Sequence, residues 1–228
     1  MVRSSSVRIP GGREPSSPRA RVPVRSAFER QRAGHDSSWR LAVPALRNEA
    51  VALRELKISD APMLLEHVSG SSVQYLTPPP QSVEDFTRFI RRARVERRRG
   101  AQLSLGIVPG GQSAPVGLAQ IWAIEPDFST AEWGFVLGES VWGTGLFGAS
   151  ARLLLDFAFD TLGVVRLETR IVEANVRGNK AMLKLGAARE GTLRCGFRSG
   201  DTFMDHVMWS ILAHEWRARR SKVRESTA

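Results

Sequence analysis

Apolar residues recur along this chain at two spacings, and each change from one spacing to the other marks an element. Val51-Ala-Leu-Arg-Glu-Leu-Lys57 alternates with period two and predicts a strand. Ser59-Asp60 caps a helical stretch through Met63, Leu64, Leu65 and Val68. The Leu76-Thr-Pro-Pro-Pro80 loop closes that unit, and a capped helix runs from Ser82 to Arg99. Ala101–Val108 and Ala114–Ile124 read as strands around Pro109-Gly-Gly, and Ala131–Leu137 as a further strand. A glycine-rich turn at 143–148 opens a helix to about Thr161, with Leu146, Leu153, Leu154, Phe157 and Ala158 at helical spacing. A strand at Val164–Val172, a helix at 177–186 and a hairpin of 188–197 with 202–212, turning at Ser199-Gly200-Asp201, complete the pattern. Strands alternate with helices only in the second half, which predicts a mixed sheet and not an all-parallel one.

The first forty residues show no sustained apolar period and are rich in Arg, Ser, Pro and Gly. Too little can be buried there to offset ordering entropy, so 1–39 is expected to be a disordered tail. The stretch resembles an organelle transit peptide in being Arg- and Ser-rich and acid-poor, but its prolines and glycines argue against the amphipathic helix of such peptides. A plain tail or an upstream start fits it better. Residues 40–217 read as one domain and 218–228 as a basic C-terminal tail.

Composition changes this picture in only a few respects. The 228 residues carry a formal +10, but nine arginines against three acids give residues 1–40 a net +6. Lysines number four among the 33 basic residues, a bias that a GC-rich genome produces as readily as selection for anions. The high charge is therefore discounted as a sign of a nucleic-acid partner. Arg91–Arg99 is the densest positive run; it reads as a solvated face near a helix C-terminus, with an anion-attracting rim as the alternative. A single cysteine, Cys195, excludes an intramolecular disulfide framework and reads as a strand-borne core thiol. The four histidines show no metal spacing, so no metal is expected. No apolar run approaches the roughly 20 residues of a membrane span, and no secretory segment is evident. A cytoplasmic protein without a membrane role is expected.

Val141-Trp-Gly-Thr-Gly-Leu-Phe-Gly-Ala149 carries the chemistry. Its glycines sit where a helix begins, so free backbone N–H groups and the positive end of the helix dipole suit phosphate oxygens. As a P-loop the segment fails, because Thr144 stands where the lysine belongs. As a dinucleotide fingerprint, Gly143-x-Gly145-x-x-Gly148 with Glu168 is literal, but five residues separate Leu137 from Gly143, and too little chain follows for a second half. Trp142-Gly-Thr-Gly-Leu-Phe147 resembles the Gln/Arg-x-x-Gly-x-Gly/Ala motif of the GNAT N-acetyltransferases, whose ribosomal-protein (RimJ/RimL-like) branch often has Trp first. Asn175 to Gly191 is similar to that branch's Asn-x-x-Ser-(x)5-Lys-x-Gly-Phe signature followed by Arg-Glu-Gly. Ala50–Asp60 resembles its first strand and helix, and Asp201–Trp216 its last strand. The chain departs from the pattern at Phe147 (Gly or Ala), Gly178 (Ser), Ala187 (Phe) and Trp209 (Tyr).

The resemblance implies an α/β (α+β) fold: a mixed, mostly antiparallel sheet of six to seven strands with helices on both faces. It implies acetyl-coenzyme A as cosubstrate and direct attack by a primary amine, either a protein N-terminal α-amine or a small-molecule amine. Gly143, Thr144, Gly145, Leu146, Phe147 and Gly148 would then hold the diphosphate. Phe135, Val136 and Leu137 would pair with pantetheine and supply oxyanion donors, and Asn175 would touch the cofactor or a water. Glu132 is the favoured base, since alternation places it with Gly134 and Val136 near the expected thioester; Glu168 and Glu173 are alternatives. Trp122 and Trp133 are expected at the acceptor pocket. His206 and Asp205 could polarise the acceptor, though a hydrogen-bonded strand pair is the plainer reading. The acceptor could be a ribosomal or other protein N-terminus, and the protein a monomer or homodimer. A catalytically inactive acetyl-coenzyme A-binding regulator and a ribosome- or RNA-binding module stand as alternatives.

Overall fold

A computed structural model describes residues 37–70, 73–75 and 80–225. Most of the expected 1–39 tail and 76–79 of the expected loop lie outside the described residues. Strand β1 (Leu46–Arg47) precedes β2 (Val51–Glu55), helix α1 (Ala61–His67) and helix α2 (Val83–Arg99). The antiparallel strands β3 (Gln102–Pro109), β4 (Gly117–Ala123) and β5 (Thr130–Leu137) follow. Helix α3 (Leu146–Asp160) crosses to β6 (Arg166–Val172); then come α4 (Val176–Leu185), β7 (Ala188–Ser199), β8 (Thr202–Leu212) and α5 (Ala213–Glu225). The sheet order is β1-β2-β3-β4-β5-β6-β8-β7, antiparallel throughout except for β5 beside β6.

The sheet has eight strands and not six or seven. The addition is β1, two residues long, where Leu46 lies opposite Leu53 and Arg47 opposite Ala52. A pair of residues cannot display a period, so its strand character comes from the partner alone.

Alternation along each strand divides the apolar residues between two cores. Leu53, Leu105, Ala119, Ile121, Ala131 and Leu167 face one side, where Leu154, Leu155 and Ala158 of α3 and Met182 and Leu185 of α4 pack. Leu118 and Val136 face the other, beneath Leu64 of α1 and Phe86 and Ile90 of α2. Helix α2 begins at Ser82, whose Oγ accepts the Asp85 N–H at 3.1 Å, and ends on Gly100 in the left-handed conformation.

The expected C-terminal boundary at 217 falls inside α5. This helix is held by polar contacts: the Trp216 indole N–H donates to Asp156 at 2.7 Å, and Arg220 pairs with Asp156 and Asp160 at 2.8 and 2.7 Å. Cys195 differs from its expected core position. It is exposed, with φ 52°, in an irregular part of β7 where its N–H donates to Asp205 Oδ1 at 2.8 Å. Among the described residues no helix is long and apolar enough to cross a membrane.

The arginine run is not uniformly solvated. Arg97 is buried, and its guanidinium donates to the carbonyls of Trp39 and Arg40 and to Glu55 Oε1. Arg94 reaches the Leu56 carbonyl at 3.1 Å. Trp39 in turn meets the Phe128 ring edge-on at 5.4 Å, so Arg97 ties the chain entering the domain to α2 and β2. Arg97→Ala leaves three buried or half-buried acceptors without their donor and is expected to lower unfolding free energy by about 3 kcal/mol. Urea denaturation checks this, and a loss below about 1 kcal/mol, the range of an exposed pair, would contradict it.

Candidate functional site

Strands β5 and β6 run parallel but pair over three positions only: Thr130 with Arg166, Ala131 with Leu167, and Glu132 with Glu168. Beyond Glu132 they part. Hydrogen bonds from Ile124 N–H to Thr130 O and from Gly138 N–H to Val116 O fix the alternation along β5. Main-chain groups of Glu132, Gly134 and Val136 therefore turn toward β4, and those of Trp133, Phe135 and Leu137 turn toward the gap. Past the last paired residues, the gap-directed donors of β5 are Phe135 N–H and Leu137 N–H. Val136 does not fit the expected pairing role: its amide faces β4, and its side chain packs with α1 and α2. The gap leaves β5 with unpaired ladder groups in mid-sheet, a place where an extended ligand can take the missing strand's part.

At the wide end of the gap lies the glycine turn. Gly143 and Gly145 have φ 79° and 85°, which side chains rarely adopt, and the space beside each is open. Helix α3 starts at Gly145 with no side-chain cap, although Thr144 Oγ1 approaches Leu146 N–H at 3.4 Å. The Phe147 and Gly148 amides at the helix start have no intrahelical partner. Phe147 itself does not block this turn: its ring packs inward, edge-on to Phe135 at 5.3 Å, and Phe135 meets Trp133 at 5.2 Å. Trp142 donates its indole N–H to the Leu137 carbonyl at 2.9 Å, closing the end of β5.

On the α1–α2 side of the sheet, charged residues follow one another across β7, β6 and β5. Glu190 holds Arg166 through two hydrogen bonds of 2.7 and 2.6 Å and accepts the Ser210 hydroxyl at 2.7 Å. Arg166 also bonds Glu168 at 2.9 and 3.0 Å. Arg170 stands between Glu168, at 3.8 Å, and Glu132, at 4.0 Å. Contacts thus loosen toward the gap, and Glu132 keeps only a distant cation. Burial pushes the Glu132 carboxyl above its ordinary value, against the pull of Arg170 and with help from the Glu168 charge. Trp122 lies on the same face with its ring over Gly134, where a Cβ would come within 3.2 Å. Gln120, next along β4 on this face, donates to Ser104 Oγ at 3.0 Å.

Of the three acids expected as candidates, Glu168 is buried within the Arg166 pair, and Glu173 is exposed beside Arg189 at 3.7 Å. Glu132 is half-buried at the apex of the gap. Trp133 does not line this face: it is buried in the opposite core. Asn175 caps α4, its Oδ1 accepting the Gly178 N–H at 2.9 Å. The same contact accounts for Gly178, since a Cβ there would lie 2.9 Å from the Asn175 amide nitrogen. Trp209 is buried and donates to Asn179 Oδ1 at 2.8 Å. His206 and Asp205 do not bond each other: Asp205 accepts from Cys195, and His206 Nδ1 is buried with no hydrogen-bond partner. Burial and the Arg170 charge lower the His206 pKa. Sequence reading did not single out Arg170, Gln120 or Arg166. Their only signal was period-two alternation, which becomes informative once strand register is known.

The profile of the acetyltransferase (GNAT) domain family matches residues 50–188. The Bacillus licheniformis protein p20, named an uncharacterized N-acetyltransferase, is 25% identical over 176 residues, or 75% of this chain and 97% of that protein. YdaF of Bacillus subtilis, named as a candidate ribosomal N-acetyltransferase, is 24% identical over 180 residues, 76% of this chain and 97% of that protein. Among solved structures, the microcin C7 self-immunity acetyltransferase MccE, in complex with acetyl-coenzyme A and AMP, superposes with a TM-score of 0.66 at 19% identity. That match spans 72% of this chain and 93% of the other.

The outer end of the charge ladder has a stability signature. Hydrogen bonds from Arg166 and Ser210 hold the Glu190 carboxyl down to about 2 from an ordinary 4.5. A depressed folded-state value stabilises the fold above about pH 4.5 and loses that contribution as pH falls toward 2. Denaturation profiles of Glu190→Gln across this window should be flatter than wild type. Parallel profiles would contradict the pairing.

Proposed function

This chain belongs to the GNAT acetyltransferase family and transfers acetyl groups from acetyl-coenzyme A to nitrogen, and we propose that its acceptor is a low-pKa primary amine received beside Glu132. Bound acetyl-coenzyme A supplies a thioester that an amine can attack directly. The residues present suit it: an unpaired strand edge inside the sheet, and a turn at a helix start with open space beside Gly143 and Gly145. In the proposed arrangement the amides of Gly143 to Gly148 hold the diphosphate, with Thr144 and Leu146 contributing main chain. Phe135 and Leu137 pair with the pantetheine arm through their gap-directed groups, and Asn175 shapes the opposite wall as the cap of α4. The Phe135 N–H, the first free donor past the apex, is placed to stabilise charge on the acetyl oxygen. Glu132 draws the amine proton away through water.

The observation that carries this reading is the position of Glu132: the last paired residue before the strands part, half-buried, with its nearest cation 4.0 Å away. Its raised pKa makes it a better proton acceptor than a solvated carboxylate. Acceptor chemistry follows from magnitudes. Deprotonating an α-amine of pKa near 8 costs about 1.4 kcal/mol at pH 7, and a lysine near 10.4 about 4.6 kcal/mol. One carboxylate with no strong assisting base suits the former. A protein N-terminus or a small amine of similar pKa meets this requirement, and the name of YdaF gives that protein a ribosomal acceptor. The Phe147 and Gly178 departures that kept an inactive coenzyme binder in view have local packing explanations and do not favour it.

Thiol release from acetyl-coenzyme A tests the proposal. Glu132→Gln should lower kcat about 10²- to 10⁴-fold with little change in coenzyme affinity, and should remove the acidic limb of the pH–kcat/KM profile. Wild-type rates should fall as pH drops through a value above the ordinary carboxylate range. A variant within threefold of wild type, with an unchanged profile, would move the base elsewhere. Acetylation of internal lysines with none at peptide N-termini or small amines would overturn the acceptor assignment.

A further inference from the structure

We propose that Arg177, presented on the ring of Trp142, binds the coenzyme's diphosphate as the cationic complement to the neutral amides of the glycine turn. The inference rests on the reading of that turn as the coenzyme site. Arg177 lies in the first turn of α4, and its guanidinium carbon is 3.5 Å from the centroid of the Trp142 ring. Trp142 immediately precedes Gly143 and is fixed by its bond to the Leu137 carbonyl. The contact therefore joins the segment after β5 to the helix after β6, across the mouth of the gap between those strands.

Arg177 is out of place by ordinary rules. A cation in the first turn of a helix opposes the helix dipole. Arg177 is exposed, and among the described residues it has no carboxylate in ion-pair distance. Its one strong contact is the indole face. Stacking occupies the flat face of the guanidinium and leaves the in-plane N–H donors free in a rigid fork, the geometry that phosphate oxygens accept. The neighbouring turn contributes neutral amides and open space at Gly143 and Gly145, and a second guanidinium, that of Arg152 in α3, lies beside Gly148, where a Cβ would come within 3.5 Å of it. The densest group of cations, the arginine run, ends at the wrong end of the strands. Arg99 leads through Gly100 to Gln102, which lies opposite Trp122, and Trp122 pairs with Glu132 near the start of β5. The glycine turn follows the far end of that strand.

Coenzyme A also carries a 3′-phosphate, so the test must separate two anions of one ligand. Calorimetric titration of the full chain with coenzyme A, dephospho-coenzyme A and the phosphate-free S-acetylpantetheine does so. Arg177→Gln should weaken both coenzyme A and dephospho-coenzyme A by roughly tenfold. Their binding should become less salt-sensitive, and the phosphate-free ligand should be unaffected. Arg177→Lys should recover only part of the loss, since an ammonium cannot keep the planar stack. Dissociation constants within twofold of wild type for both coenzymes would overturn the inference while leaving the site assignment standing. A loss confined to coenzyme A would also overturn it, by assigning the guanidinium to the 3′-phosphate. Wild-type protein that binds neither coenzyme would overturn the site assignment itself.

Discussion

Everything at this site depends on two strands that stop pairing. A parallel pair inside a sheet ordinarily continues for as long as both strands do, because each unpaired N–H or C=O forgoes a hydrogen bond. Here β5 has eight residues and β6 seven, yet only three positions are paired. Both strands remain fixed on their other sides, β5 by seven pairs to β4 and β6 by seven to β8. The parting is therefore held open by the two halves of the sheet. It turns the middle of the sheet into an edge, and the edge faces into the protein.

The charges are arranged around that opening. The tightest contacts tie β6 to β7 and β7 to β8, where Glu190 meets Arg166 and Ser210, and Arg166 meets Glu168. Toward the apex the distances lengthen, and the carboxylate at the end is left half-buried with a remote cation. Burial without close pairing is what raises a carboxyl pKa, so the same ladder that stabilises the outer sheet leaves a proton acceptor at its inner end. At the wide end the balance reverses: neutral amides and two positive-φ glycines lie beside Arg177, which is stacked on the Trp142 indole.

Much of this was legible in the sequence, for identifiable reasons. The seven long strands and the helices at 83–99, 146–160 and 176–185 announce themselves by apolar period and by Ser82, Gly100, Asn175 and Gly186 at their ends. The face shared by Glu132, Gly134 and Val136 follows from alternation alone. Main-chain direction does not: alternation says where side chains point, and only the β4 register shows that the Val136 amide is already used. Helix α5 carries no apolar stripe, and its anchor is Trp216 with Arg220 on two aspartates sixty residues earlier. The polar ladder joins residues from four strands that no local pattern connects. The interior position expected for Cys195 failed because the strand is irregular there, and a bulge resets which side faces out.

In the proposed complex acetyl-coenzyme A completes the unfinished sheet by pairing with the gap-facing groups of β5. Residue-resolved amide hydrogen exchange, with and without saturating acetyl-coenzyme A, tests it most directly. Phe135 and Leu137 should exchange fast in the free protein and become protected on binding, while Val136, already bonded to β4, should be slow in both states. Protection that appears at Val136, or none at Phe135 and Leu137, would contradict it.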